Sequence, residues 1–428
     1  MSAVELVRGC YYTNWAIYRN EPYKFTPEKV PLDLCTHVFY AFAALSAATF
    51  EAQPFDSWAD IDLKQYEKIA NLKKQKPGIK SILSFGGWTM SESGVFEKMA
   101  TTAAGRAKFA KSAYALANKY GFDGVDLDWE YPNAANKANF AALLKELRAA
   151  SGGKLLTIAV AAGTEKIRAG YDGAAVAQYV DYVNLMSYDY HGTWESTVGH
   201  QAAYSETLNT VSVWAGLGVP KRKLLLGIGA YGRGWATASC QAGASGPAAP
   251  ANPVSQQAGY ASYFELMSMG GRVIQSPEGP YLAATVNGQA VCYSYDDPAA
   301  VLKKMAFVKK DGLGGAFTWT VDFDNASFDI HQAIKKGLTG TGGTTGGDNG
   351  TKPKPGGDNG TKPKPGGDNG TKPKPGGDNN NNGGKCTGGL RANADPKFYD
   401  ECINGTWVKR PCPPGTVYDP ATGGFKLP

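Results

Sequence analysis

Four acids fall within eight positions of the stretch GFDGVDLDWEYP, residues 121–132: Asp123, Asp126, Asp128 and Glu130. Apolar residues alternate with the last three of them. A period of two belongs to a strand, where alternate side chains share a face. Asp126, Asp128 and Glu130 then point one way, and Val125, Leu127 and Trp129 the other. Asp123 lies off this register and reads as a structural acid near the strand's start. No Lys or Arg stands between positions 119 and 136, so a local ladder of ion pairs has no cations to build it. Three carboxylates on one buried face cannot all ionise freely, and at least one must hold its proton to higher pH. A carboxyl group protonated near neutrality is what general-acid catalysis requires.

Such a strand needs a framework that buries both of its faces. Short apolar, β-rich runs occur at 6–12, 35–43, 80–87, 122–130, 155–162, 182–189, 223–230 and 312–319. Helix-period segments separate most of them. In residues 134–150, for example, Phe140, Leu143, Leu144 and Leu147 recur at i, i+3, i+4, i+7. Eight strands with helical crossovers predict an α/β fold, a (β/α)8 TIM barrel. Its interior would hold the acid row, stepping toward the C-terminal rim where such barrels keep their active sites. The gap before the eighth run is longer than the others. Residues 236–291 read as a small α+β insertion between strands 7 and 8, with Asn287-Gly288 as a hairpin turn.

The chain has 428 residues, 43% of them apolar, enough for a sizeable core. No apolar run approaches the ~20 residues of a membrane span, so no membrane association is expected. Half of the net charge of +6 arises in residues 339–385, and the near balance elsewhere leaves no footprint for a nucleic acid. GGDNGTKPKP occurs three times in tandem from residue 346. Gly, polar residues and Lys-Pro repeats favour extended chain, so 339–385 reads as a linker. It divides a first domain, 1–338, from a small cysteine-containing module, 386–428. The N-terminus has no signal-peptide pattern. A cytoplasmic chain is one reading and a mature secreted chain the other. The four His residues lack metal-ligand spacing, so no metal is expected. No phosphate-cradling loop or nucleophile elbow occurs, and no cofactor is implied. Gly86-Gly87 reads as a close-packed strand end.

DGVDLDWEYP resembles the DxxDxDxE signature of glycoside hydrolase family 18, the chitinases. SILSFGGW (81–88), LMSYDYHGTWE (185–195), GAYGRGW (229–235) and GGAFTWTVDFD (314–324) agree with that family in its order, and GCYYTNWAIYR resembles its animal-type members. The resemblance covers about 1–338. It implies a secreted, extracellular, monomeric chitinase that binds chitin and chito-oligosaccharides and cleaves β-1,4-linked N-acetylglucosamine with retention. By the resemblance Glu130 protonates the glycosidic oxygen while the substrate's acetamido carbonyl attacks. Asp128 holds the acetamido N–H, Asp126 shares charge with Asp128, and Tyr188 bonds the acetamido carbonyl. Trp15, Trp88, Trp194 and Trp319 are candidate sugar platforms, with core packing as the plain alternative. Met186, Asp189, Tyr231 and Arg233 resemble cleft residues, though Arg233 could equally serve as an ion-pair partner. Two other readings stand beside this one: a chitin-binding lectin on the same barrel, and an endo-β-N-acetylglucosaminidase acting on N-glycans.

The pairs Cys10/Cys35 and Cys240/Cys292 resemble disulfides of the animal-type members, with reduced buried thiols as the alternative. They favour the secreted reading. FYDECINGTWVKRPCPPGTVYD resembles a peritrophin-type chitin-binding module. That pattern pairs Cys386 with Cys402 and leaves Cys412 without its partner, because Phe425 stands where the pattern has a cysteine.

Overall fold

A computed structural model describes residues 5–340 and, beyond them, 390–393, 398–403, 406–411, 417–419 and 424–426. Eight parallel strands form the first part: β1 (Val7–Thr13), β2 (His37–Leu45), β3 (Lys80–Gly86), β4 (Gly124–Asp128), β5 (Leu155–Val160), β6 (Tyr182–Leu185), β7 (Leu224–Gly229) and β8 (Gly315–Trp319). Each pairs with its sequence neighbours, and β8 returns to β1, with Gly9 opposite both His37 and Phe317. The sheet is therefore a closed (β/α)8 barrel, as the alternation of strand and helix patterns predicts.

Two apolar layers follow from strand alternation. Val125, Leu127 and Trp129 face outward into the layer between sheet and helices, joined by Phe140, Leu143, Leu144 and Leu147 of the helix Lys137–Ala150. Tyr11, Phe39, Ile82, Leu225 and Phe317 fill the interior. Local signals set the element ends. Thr102 caps the helix Ala103–Tyr120 by accepting from the Gly105 N–H, and Gly121 ends it at φ 83°. That stop delivers the chain into β4. Gly86 closes β3 at φ 130°, where a Cβ would lie 1.9 Å from the Asp128 carbonyl oxygen, so no other residue fits.

Between β7 and β8 lies a separate five-stranded antiparallel sheet. It comprises Tyr231–Trp235, Tyr260–Ser262, Arg272–Ile274, Tyr281–Val286 and Gln289–Ser294. Its helix, Tyr263–Met269, starts with a capping box between Ser262 and Glu265. Asn287 and Gly288 both take positive φ at the hairpin, as a two-residue primed turn requires. Disulfides join Cys10 to Cys35 and Cys240 to Cys292.

Two expected strands end early. β4 stops at Asp128 rather than 130, and β6 at Leu185 rather than 189. β3 pairs with β4 only as far as Gly86, opposite Asp128, so the chain beyond has no ladder partner there. Glu130, Tyr188 and Asp189 therefore sit on the rim, just past strand ends.

The chain divides into two units near residue 346. In the second, Leu390–Ala392, Phe398–Ile403 and Thr406–Pro411 form an antiparallel sheet, and Val417–Asp419 pairs with Gly424–Lys426. Arg391 pairs with Asp400 at 3.0 Å and lies 4.5 Å over the Trp407 ring. The repetitive linker, Cys386, Cys412 and the expected Cys386–Cys402 bond lie outside the described residues. Among the described residues, no helix is long and apolar enough to cross a membrane.

Leu143 is fully buried in the layer behind β4. Leu143→Ala is expected to lower stability by about 2–5 kcal/mol, read from the urea midpoint.

Candidate active site

The four acids divide by environment. Asp123, off the strand register, is held by one cation and by neutral donors. Its Oδ1 lies 2.9 Å from Lys73 Nζ, and its Oδ2 accepts from the Ser81 N–H at 2.9 Å. Burial alone would raise its pKa, but the Ser81 N–H and the Lys73 ammonium prevail and hold it below the usual carboxylate value. Lys73 lies outside the acidic stretch, so the missing local cation arrives through the fold.

Asp126 and Asp128 point into the barrel. Asp126 is fully buried and neutral donors surround it: Tyr11 OH at 2.8 Å, Ser84 Oγ and Thr157 Oγ1 at 2.6 Å, and Asn184 Nδ2 at 3.4 Å. Burial raises its pKa, and the bonds from Ser84, Thr157 and Tyr11 work against the rise. Asp128 is also buried, and its Oδ1 has no hydrogen-bond partner. Burial, then the charges of Glu130 and Asp126, push it well above the usual range. Glu130 is pushed up to about 7, mainly by burial, with the Tyr131 hydroxyl opposing, the Asp189 charge adding and Lys166 opposing. Lys166 Nζ itself lies 4.6 Å over the Tyr131 ring.

Tyr188 is buried close to this group. Burial first, then the charges of Asp128 and Glu130, raise its pKa, so it stays a neutral phenol able to donate. Gly227 makes room for it: a Cβ there would lie 3.0 Å from the Tyr188 ring. Trp319 closes the top of β8 beside Tyr11, with ring centroids 5.6 Å apart. It stacks on Phe42 at 5.7 Å and stands 6.4 Å from Trp15. Met186, Tyr188 and Tyr231 belong to the same inner cluster.

Arg233 is an ion-pair partner. Its Nε and Nη2 each lie 2.8 Å from one oxygen of Asp189, a bidentate pair. The guanidinium also faces Tyr260 at 4.9 Å and Trp194 at 5.2 Å. Trp88 and Trp194 are 55% and 59% exposed, which suits platforms for a ligand rather than core packing.

Several residues escape the sequence reading. Thr157 is the one polar residue of the run at 155–162, a signal that could have singled it out, whereas Ser84 and Asn184 share the runs at 80–87 and 182–189 with other polar residues. Strand register brings Ser84 and Thr157 level with Asp126. Tyr11, Phe42 and Tyr260, the last stacked on Tyr231 at 4.7 Å, carried no such signal because aromatics are ordinary in apolar runs. Among the described residues, no group of His, Cys, Asp or Glu is arranged to hold a metal ion.

What this site can do is polar chemistry. One carboxyl can give and take a proton near neutrality, a buried carboxyl beside it has an unused oxygen, a phenol can donate, and rings form the walls. The family model described as Glycosyl hydrolases family 18 matches residues 7–324. A relative named "Probable endochitinase" from Caenorhabditis elegans is 39% identical over 355 residues, 74% of this chain and 56% of the relative, so the chain spans about half of that protein's length. A solved mutant of catalytic domain 2 of the Group II chitinase of Ostrinia furnacalis, in complex with penta-N-acetylchitooctaose, aligns with TM-score 0.74 and 32% identity over 78% of this chain and 97% of that one. Human YKL-39, described as a pseudo-chitinase with retained chitooligosaccharide binding, aligns with TM-score 0.71 and 29% identity over 78% of this chain and 100% of that one.

Asp189→Asn removes a charge that favours the protonated form of Glu130. The Glu130 titration, followed by carboxyl carbon NMR, is expected to move below the wild-type position near 7.

Proposed function

The chain belongs to glycosyl hydrolases family 18, and on that premise we propose that it cleaves β-1,4 linkages between N-acetylglucosamine units of chitin. Cleavage proceeds with retention of anomeric configuration, and the substrate's own 2-acetamido group is the nucleophile. Glu130 gives its proton to the glycosidic oxygen as the C1–O bond breaks. The acetamido carbonyl oxygen bonds C1 from the opposite face, forming a cyclic oxazolinium ion. Glu130, now a carboxylate, then takes a proton from the water that attacks C1 and reopens the ring.

The observation that carries this reading is the pair Asp128–Glu130. Glu130 is poised at about 7, where a general acid works best near neutral pH. Asp128 keeps a buried oxygen without a partner, and the acetamido N–H is a donor of the right kind to fill it. That bond would hold the nucleophile in place and offset the charge that develops on its nitrogen. An attacking group carried by the substrate gains a large effective concentration, and most retaining enzymes would otherwise need a second carboxylate as nucleophile. Tyr188 donates to the acetamido carbonyl, and Asp126, with its four donors, takes up charge when Asp128 shifts toward the sugar. Trp319, Trp15, Trp88 and Trp194 pack on the apolar faces of the sugar units.

The presence of a carboxyl group at 130 favours hydrolysis over binding alone. The two disulfides fit an oxidising, extracellular compartment. The C-terminal segment, by its sequence resemblance, tethers the enzyme to insoluble chitin and raises its local concentration there.

Glu130→Gln should lower turnover of chito-oligosaccharides by about 10²–10⁴-fold or more, with binding retained. Near-normal turnover, or products of inverted anomeric configuration by proton NMR, would refute the mechanism. Because the active form carries the proton on Glu130, kcat should fall as pH rises through about 7.

A further inference from the structure

The proton donor stands two residues beyond the end of its strand. β3 pairs with β4 up to Gly86 opposite Asp128, and the Gly87 N–H adds one bond to the Asp128 carbonyl at 2.9 Å. From residue 129 onward no β3 backbone is available, and a partly buried N–H left unpaired there would carry a cost. The Glu130 N–H instead donates to Ser91 Oγ at 2.8 Å. Ser91 is 5% exposed and sits on the short helix Trp88–Glu92, its own N–H bonded to the Gly87 carbonyl at 3.0 Å. One residue earlier, the Trp129 indole N–H donates to Glu97 Oε1 at 3.2 Å. Glu97 lies on the next helix, Val95–Thr101, whose Phe96 stacks on Trp129 at 5.5 Å.

We propose that Ser91 is a positioning residue for the reaction. Its hydroxyl stands in for the missing sheet acceptor and, with the Glu97–Trp129 anchor, fixes the backbone from which the Glu130 carboxyl projects. This rests on the reading of Glu130 as the acid. Ser91 touches no substrate in this scheme. It acts on the rate of proton transfer by keeping Glu130 in one place, so its loss should fall on kcat rather than on KM.

The test compares Ser91→Thr with Ser91→Val, which match in shape and differ in the hydroxyl. Rates on chito-oligosaccharides are normalised to the fraction of protein that binds oligosaccharide. Loosening the backbone under Glu130 should forfeit part of the about 10²–10⁴-fold contribution of a positioned general acid, so kcat for Ser91→Val should be about tenfold below Ser91→Thr, with KM within about twofold. Equal kcat in the two variants overturns the proposal. If β-branching at 91 prevents folding, Ser91→Ala against wild type decides by the same criterion: a kcat loss of about tenfold at constant KM supports it, and a kcat within about twofold overturns it. Glu130→Gln, run alongside, separates the two claims. Normal turnover in that variant would sink the reading of the acid, whereas a dead Glu130→Gln with an unimpaired Ser91→Val would sink only the role of Ser91.

Discussion

The site is governed by the cost of burying negative charge without a cation to meet it. An isolated ionised carboxylate removed from water is expensive, and a group so placed keeps its proton or finds donors. The barrel interior applies both remedies in sequence. Asp126 is wrapped by Tyr11, Ser84, Thr157 and Asn184. Asp128 has an oxygen that lacks any partner, and Glu130 sits at the rim with its proton held to about 7. Charge is thus easiest to place at the bottom of the row, and the most available proton is at the top. Asp123, three residues before Asp126, shows the opposite outcome once a lysine and a backbone N–H are supplied.

The framework makes this arrangement affordable by dividing labour between its two faces. Outward residues of β4 pack against helices in a continuous apolar layer. That outer layer is the larger of the two apolar clusters, and the inner one also carries the buried acids. Polar residues of β3 and β5 lie level with Asp126 because parallel strands in register place them there. A local breach of the rule against buried charge, supported by consistent packing elsewhere, is the usual mark of a functional site.

The insertion between β7 and β8 is tied to this site through Arg233. Its strand Tyr231–Trp235 supplies the guanidinium, and the barrel's β6 loop supplies Asp189. Because Asp189 also acts on Glu130, the same ion pair that joins the two substructures sets part of the field at the acid. The rings of Tyr231, Tyr260 and Trp194 surround that guanidinium, so the insertion contributes both shape and charge to the rim.

The barrel, the hairpin at Asn287-Gly288, the inward face of Asp126 and Asp128, and a helix expected within 134–150 and found at Lys137–Ala150 were legible in the sequence. Each depends on periodicity or on turn chemistry, which are local properties of neighbouring residues. The strand limits at 128 and 185 were not, because a strand ends where its partner ends, and the partner is distant in sequence. Lys73 meeting Asp123, four donors converging on Asp126, and Ser91 reaching Glu130 likewise depend on chain segments 30 or more residues apart being folded against one another. Sequence alone determined which acids stand close together along the chain. Tertiary structure decided which of those acids would be charged, because ionisation depends on the donors and cations that only folding brings near.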